Sequence, residues 1–551
     1  MLFSTSFIVP LLAIVGITDG ALTTYKGKKP DLPSRKPFGF GIATTGGAAN
    51  KSAVYVVDNM VDLREALQLN YTRTVYVKGL IDGSVVKDNV TGKLVKTNCD
   101  TYIQQAAPQF NFTQYMMSLN TSYMASLEVL PQTDVVEGRN VTEFIDLLKQ
   151  QVVRYTLWGL NFNCVLIVFT GLGSSHISST KESSPHRSKR RPHAHWSRQH
   201  SLHQWRPAPL RKRHQRNKYI SPPNPTHIPL LTLPAVRNIR FSPPRDCFPE
   251  PETASAWNAQ YDALSLATAT NFWVDGNILV DGPKTVARDA LGLWGWFVDR
   301  YDGLFDCRVG SDNITFSHNI VGNHHKSMLF GGSRNNEAVD VGKMRFTLFG
   351  NSIIASESRS PMMRHGTFYL VNNMYTQEST QLPLYNETNP SPPKSPAVNM
   401  TSWPVPYAPN WLYNMGIDNF ATVLVAGNVF SQAGLYPSDE TRIFNFATIK
   451  NITKPARVCI PASLPASETK HLKKLADTES ILNGKVIDLK RVAEERYNYH
   501  VGRGDVIAGG LELGCEKSRF KEQKMPQSFK NGREVAEYIK REAGQVGKHK
   551  P

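Results

Sequence analysis

After its first twenty residues the chain has no apolar run long enough to cross a bilayer, which excludes a helical membrane span downstream. The first twenty contain no basic residue, yet Phe7 to Ile17 is apolar. We read residues 1–20 as a secretory signal peptide with a weak basic end, since the run is too short for an anchor. Cysteine is scarce, six residues in 551. Cys99, Cys164, Cys247, Cys307, Cys459 and Cys515 permit at most three disulfides, with Cys459–Cys515 the favoured pair. Acidic residues are outnumbered, 46 against 63 basic, for a net charge of +17.

That charge invites a nucleic-acid partner, but its distribution argues against one. Between Lys181 and Lys218 stand twelve Lys/Arg and a single acid, Glu182, which leaves only +6 for the rest. The same stretch holds six of the fifteen histidines, almost no aliphatic residues and no helical or strand period. A basic segment binding an anionic polymer is one reading. The other is that residues 178–233 were not encoded by the logic of their flanks, as with an unspliced intron or a shifted frame. Either way, so few aliphatic residues cannot offset the entropy of ordering, and the segment is expected to be disordered or poorly packed. Ten Asn-X-Ser/Thr sequons, five of them within Asn70–Asn140, fit an exported, extracellular glycoprotein.

What the chain does have is repetition. Three strand-like stretches, Ile314 to Asn319, Phe346 to Asn351 and Phe368 to Asn373, each end in asparagine, 32 and then 22 residues apart. A period in the low twenties, stretched where a loop is inserted, marks a solenoid whose coils are mostly strand. Successive coils of a parallel β-helix lie about 4.8 Å apart. Asparagines at one corner can then bond up and down the stack and satisfy turn backbone that would otherwise be buried unpaired. The expected fold is all-β, a right-handed parallel β-helix over residues 21–435, followed by a partly helical extension over 436–551. Further strands are expected at Val54–Val57, Thr74–Lys78, Val236–Phe241, Phe272–Asp275 and Ala421–Gly427, with helices at 61–67 and 530–540.

Carboxylates recur along this wall. Asp262 follows Trp257-Asn-Ala-Gln-Tyr261; Asp275 and Asp281 are six residues apart; Asp302 and Asp306 are four apart. Even offsets on a strand place both members of a pair on one face. Oxygen ligands gathered on a wall suit a hard divalent cation, calcium before magnesium. Aspartates beside glycine also cap turns, so each carboxylate alone has a duller reading. Arg359 and Arg364 bracket Ser360-Pro361-Met362-Met363, and Lys326 lies in Gly322-Asn-His-His-Lys-Ser327. A cation site flanked by arginines and a lysine on a long rigid wall is suited to an acidic polymer.

These strings resemble the pectate lyase family of secreted polysaccharide lyases. The matching segments are Phe38-Gly-Phe-Gly41 with Thr44-Thr-Gly-Gly47, Val236-Arg-Asn-Ile-Arg-Phe241, Tyr261-Asp-Ala-Leu-Ser-Leu266 and Phe272-Trp-Val-Asp275. They continue with Asp302-Gly-Leu-Phe-Asp306, His325-Lys-Ser-Met-Leu-Phe-Gly-Gly-Ser333, the Ser358–Arg364 string and Tyr369-Leu-Val-Asn-Asn-Met-Tyr375. The resemblance covers about residues 36–85 and 236–376. It implies calcium-dependent β-elimination on de-esterified homogalacturonan by a monomer, with no nucleic-acid or membrane partner. It places Asp262, Asp302 and Asp306 at calcium-ligand positions, Arg359 at the base, and Lys326 and Arg364 at the uronate carboxylate; Asp275 and Asp281 are secondary candidates. Guanidinium is an awkward base, since its ordinary pKa lies above about 12, and neighbouring cations would have to assist. The chain departs from the family at Gln260, Gly276 and Cys307. After Gly171-Leu-Gly-Ser-Ser-His-Ile177 the basic stretch also stands where relatives have a strand-rich coil. These departures keep a second reading open, a catalytically inactive β-helix that binds acidic cell-wall polysaccharide.

Overall fold

The computed structural model describes residues 22–27, 32–44, 52–69, 71–83, 85–87, 91, 93–96, 169–172, 235–243, 250–252, 256–259, 261–281, 288–289, 297–299, 301–379, 411–434, 437–446, 455–502 and 510–546. The leader at 1–20, the basic stretch at 178–233, Gln260 and nine of the ten sequons lie outside them.

Three long sheets run side by side along one axis, and the chain visits them in rotation. The first has six strands, Leu264–Ala267, Phe305–Arg308, Met328–Phe330, Met362–Met363, Met415–Ile417 and Phe444–Phe446, all parallel. The second has eight, from Ala235–Arg237 through Thr270–Asp275, Asp312–Ser317, Arg345–Phe349, Thr367–Val371 and Thr422–Ala426 to Ala456–Cys459 and Leu511–Leu513. The third, also of eight, contains Ile278–Val280, Ile320–Lys326, Ser352–Ser358, Met374–Ser379 and Val429–Gly434, and closes on the antiparallel pair Ile481–Leu482 and Lys485–Val486. This is a parallel β-helix. The expected strands and helices appear within the described residues, the first helix as Met60–Gln68 and the last as Gly532–Glu542. The exception is the stretch Val236–Phe241, which is not one strand: Asn238, at φ 54°, turns the corner between Ala235–Arg237 in the second sheet and Arg240–Phe241 in the third. The stacked sheets also take strands from beyond residue 436, at 444–446, 456–459, 481–482 and 511–513.

Inward residues at matching positions form columns. Phe330, Phe346 and Phe368 stack with centroids 4.5 and 5.5 Å apart, and Phe305 lies on Phe316 at 4.7 Å. All five are fully buried. The corner between the second and third sheets carries the asparagine stack, which extends beyond the three asparagines read from the repeat. Asn277, Asn319, Asn351, Asn373 and Asn428 each accept or donate along one line, with side-chain amide to side-chain oxygen distances of 3.1, 3.1, 2.8 and 3.2 Å. Each oxygen from Asn319 upward also accepts the backbone N–H of the asparagine in the preceding coil. Ser480 takes the next place by accepting from the Asn428 N–H at 3.1 Å.

The glycine-rich turn near the N-terminus lies across the outer face of the second sheet. Phe40 and Gly41 N–H groups donate to Thr347 and Thr315 Oγ1, and Thr315 Oγ1 donates to the Phe38 carbonyl at 2.6 Å. The C-terminal helix covers the same region. His318 bridges Asp275 (2.7 Å) and the Tyr538 hydroxyl (2.9 Å), while Arg35 joins Asp275 to Glu542. Cys459 and Cys515 form the expected disulfide, and Cys307 is a free, buried thiol.

Candidate active site

The first sheet presents its outward residues at the site. Phe305 and Cys307 point into the core, so alternation turns Asp306 and Arg308 outward. Asp306 pairs in register with Ser265 on one side and Leu329 on the other, and its carboxylate accepts the Leu329 N–H at 3.0 Å. Asp262 precedes the neighbouring strand and accepts the Gly303 N–H at 3.0 Å. Gly303 is what lets the two carboxylates converge. A Cβ there would lie 2.3 Å from the Asp306 oxygen and 3.0 Å from that of Asp262. Asp302 completes the group. Burial, then the charge of Asp302, pushes the Asp262 carboxyl up to about 7. Asp306 is raised well above the usual range by burial and by both neighbouring acids, with Arg359 pulling the other way.

Three mutually repelling carboxylates need positive charge. Lys326 supplies part of it: its Nζ lies 3.2 Å from Asp302 and also donates to Asn258. No protein cation is as close to Asp262 and Asp306 in the ion pairs of the described residues. Their all-oxygen chemistry fits a hard divalent cation, although among the described residues no three His, Cys, Asp or Glu side chains are gathered into a ready cage.

Arg359 follows the strand Ser352–Ser358 with φ of 56°, in the left-handed region. Six of the other non-glycine residues at positive φ are asparagines, whose short polar side chains tolerate that region; an arginine has no such excuse. Such an outlier persists where its surroundings over-determine it, and here they do. The Arg359 carbonyl accepts the Met328 N–H at 2.7 Å. On either side, Ser358 Oγ donates to the His325 carbonyl, and the Ser360, Ser356 and Ser327 hydroxyls form a buried chain with 2.6 and 2.7 Å spacings. Gln377 ties the Ser356 N–H to Asn414 behind this chain. The Tyr413 phenol, hydrogen-bonded to Ser358, is raised by burial while the charges of Arg359 and Arg364 draw it down.

Arg364 is not free. Its Nε donates to Asp418 at 2.7 Å and its Nη1 to the Gly331 carbonyl at 2.8 Å. Asp418, fully buried, was not singled out in the sequence, nor was Tyr413. A signal existed: Arg308, Arg364 and Asp418 each stand at or just beyond the end of a strand of the first sheet, so aligning the coils places them in one column.

The two secondary candidates lie elsewhere. Gly276, at φ 69°, turns the corner between Asp275 and Asp281, so they belong to different sheets and the even-offset argument does not carry across. Asp275 is fully buried at the back. Burial alone would raise it, but the His318 hydrogen bond and the charges of His318, Arg237 and Arg35 hold it well below the usual carboxylate range. Asp281 is buried against His324 Nδ1 at 2.8 Å. Neither joins the Asp262, Asp302 and Asp306 group.

Known proteins share this fold and part of this sequence. A family model described as pectate lyase matches residues 234–476. Pectate lyase A of Dickeya chrysanthemi is 28% identical over 209 residues, covering 38% of this chain and 47% of that protein. The chain thus spans about half the length of the curated relatives it matches, or less. Pectate lyase from Acidovorax avenae subsp citrulli superposes with a TM-score of 0.56 at 16% identity, over 97% of this chain and 99% of that one. A structure described as pectate lyase bound to hexasaccharide gives 0.53 at 18% identity, over 93% and 97%. At such identities these structures speak for the fold. The pectate lyase family model thus matches residues 234–476, less than half of the chain, and the parallel β-helix is the fold of the pectate lyase structures it superposes on.

Proposed function

We propose that this protein is a secreted, calcium-dependent pectate lyase that cleaves de-esterified homogalacturonan by β-elimination, leaving a 4,5-unsaturated uronide. The observation that carries the reading is the convergence of the Asp262 and Asp306 carboxylates over Gly303, with Asp302 paired to Lys326 beside them on one rigid wall. Asp262, Asp302 and Asp306 would hold the cation. When bound, calcium would neutralise the C6 carboxylate and so acidify the C5 proton. Arg359, fixed by its serine-lined backbone, takes that proton as the C4–O bond breaks and the C4=C5 double bond forms. Lys326 and Arg364 hold the uronate carboxylate in place, and their own acid partners keep both side chains aimed. The kinship with a lyase described as bound to hexasaccharide supports a polymeric ligand.

The test is the ultraviolet absorbance of unsaturated uronide released from polygalacturonate, with calcium and then with chelator. We expect release that chelator abolishes. Binding of the polymer without any release would instead favour the inactive glycan-binding reading, and neither binding nor release would remove the substrate assignment.

A further inference from the structure

Arg334 is not among the residues that the family resemblance or the site chemistry above brings forward, yet it shares a carboxylate oxygen with Arg364. Its Nε donates to Asp418 Oδ2 at 3.0 Å, and the Arg364 Nε donates to the same oxygen at 2.7 Å. The other Asp418 oxygen is taken by the Asn419 N–H at 2.7 Å. One buried negative charge therefore holds two guanidiniums side by side, and the cluster keeps an excess of one positive charge.

The loop that brings Arg334 there passes over Gly331 and Gly332. Gly331 has φ of 90°, and a Cβ on it would lie 2.8 Å from the Arg364 Cβ. Only a glycine lets the chain pass this close and deliver Arg334 beside Arg364. Ser333 then fixes the turn by accepting the Asn335 N–H, and its carbonyl lies 3.1 Å from His365 Nε2.

Both arginines are anchored by Nε, which leaves the terminal nitrogens pointed away from Asp418. Arg364 spends one on the Gly331 carbonyl. Among the described residues the Arg334 terminal nitrogens have no hydrogen-bond partner, and its side chain is 40% exposed against 14% for Arg364. With its cationic side chain this exposed, the pair contributes little to stability. A planar, pre-aimed donor pair is however well matched to a carboxylate.

We propose that Arg334 holds the carboxylate of a second uronate, next in the polymer to the one held by Arg364, and so makes the site selective for consecutive unesterified residues. This rests on the pectate-binding reading above. A methyl ester presents no charge to the Arg334–Asp418–Arg364 cluster and gains nothing from the excess cation.

The experiment compares wild-type full-length protein, R334Q and R334K in calorimetric titrations with tetragalacturonate and with its methyl ester, at low ionic strength. For tetragalacturonate we expect R334Q to weaken binding about tenfold, as for one lost charge-assisted contact, and R334K, which keeps the charge but not the planar fork, to recover only part of it. The methyl ester should bind all three proteins alike. Equal tetragalacturonate affinity in wild type and R334Q overturns the proposal while leaving the lyase reading intact. A parallel loss for both ligands overturns it too, because the arginine would then be only structural. If wild type binds neither ligand, the pectate reading and this inference fall together.

Discussion

Replacing Asn351 by alanine should remove the middle rung of the asparagine stack, and the structure allows the loss to be worked out. The residue is fully buried. Its oxygen accepts the Asn319 N–H at 2.9 Å and the Asn319 side-chain amide at 3.1 Å. Its amide donates to the Phe316 carbonyl at 2.9 Å and to the Asn373 oxygen at 2.8 Å. Two partners keep a second bond, Asn319 to the Val274 carbonyl and Asn373 from the Asn351 N–H. The Asn319 N–H is the group left stranded at the corner, since the Phe316 carbonyl keeps its place in the parallel ladder with Phe349. A buried, unsatisfied polar group costs about 1–3 kcal/mol, so a loss of about 2 kcal/mol is expected. In a chain longer than 250 residues each kcal/mol moves the midpoint by less than about 2 °C, so the expected fall in melting temperature is a few degrees at most. The effect should also reach the site, because Asn351 leads directly into the strand Ser352–Ser358 that sets Arg359. Urea and thermal melts of N351A against wild type measure it, with exposed N335A as a control expected to stay within about 0.5 kcal/mol. If N351A unfolds within about 1 kcal/mol of wild type, the stack does not hold the corner and the reasoning is wrong.

Three other outcomes are expected. R359K keeps the charge but loses the planar fork, so product absorbance should vanish while calcium-dependent binding of polygalacturonate persists; near-normal turnover would remove Arg359 from the chemistry. The Asp262 carboxyl, raised from 3.8 to about 7, favours the metal-free fold below its unfolded value, and this contribution is lost as pH rises through about 7. Calcium needs the deprotonated form, so its binding should release protons near pH 6, and should raise the melting temperature more at pH 8 than at pH 5. Calorimetry in buffers of different ionisation enthalpy reads the proton count, and no release at pH 6 would contradict the raised carboxyl. Finally, Cys459 and Cys515 close a loop of 56 residues. Loop entropy assigns such a link about 4 kcal/mol, so C459S/C515S should lower the unfolding midpoint by a clear margin, and an unchanged midpoint would place that stabilisation elsewhere.

The asparagine spacing announced the stack because a solenoid repeats its backbone, and a buried corner must satisfy the same amides in each coil. The Ser358–Arg364 string stood out by composition and not by strand alternation, which Pro361 interrupts, and the even offset of Asp302 and Asp306 does not act along one strand, because Asp302 precedes the strand Phe305–Arg308. What sequence alone could not decide is which charges meet. Asp275 and Asp281 share an even offset, yet Gly276 turns the chain between them, and their partners His318 and His324 come from other coils about 43 residues away. Arg364 looked like a free cation until the fold brought Asp418 to it from 54 residues away, and Arg334 with it. Residue spacing sets the direction of a side chain within one strand. The number of residues spent in each intervening loop sets what stands above and below it, and only the stacked coils resolve that.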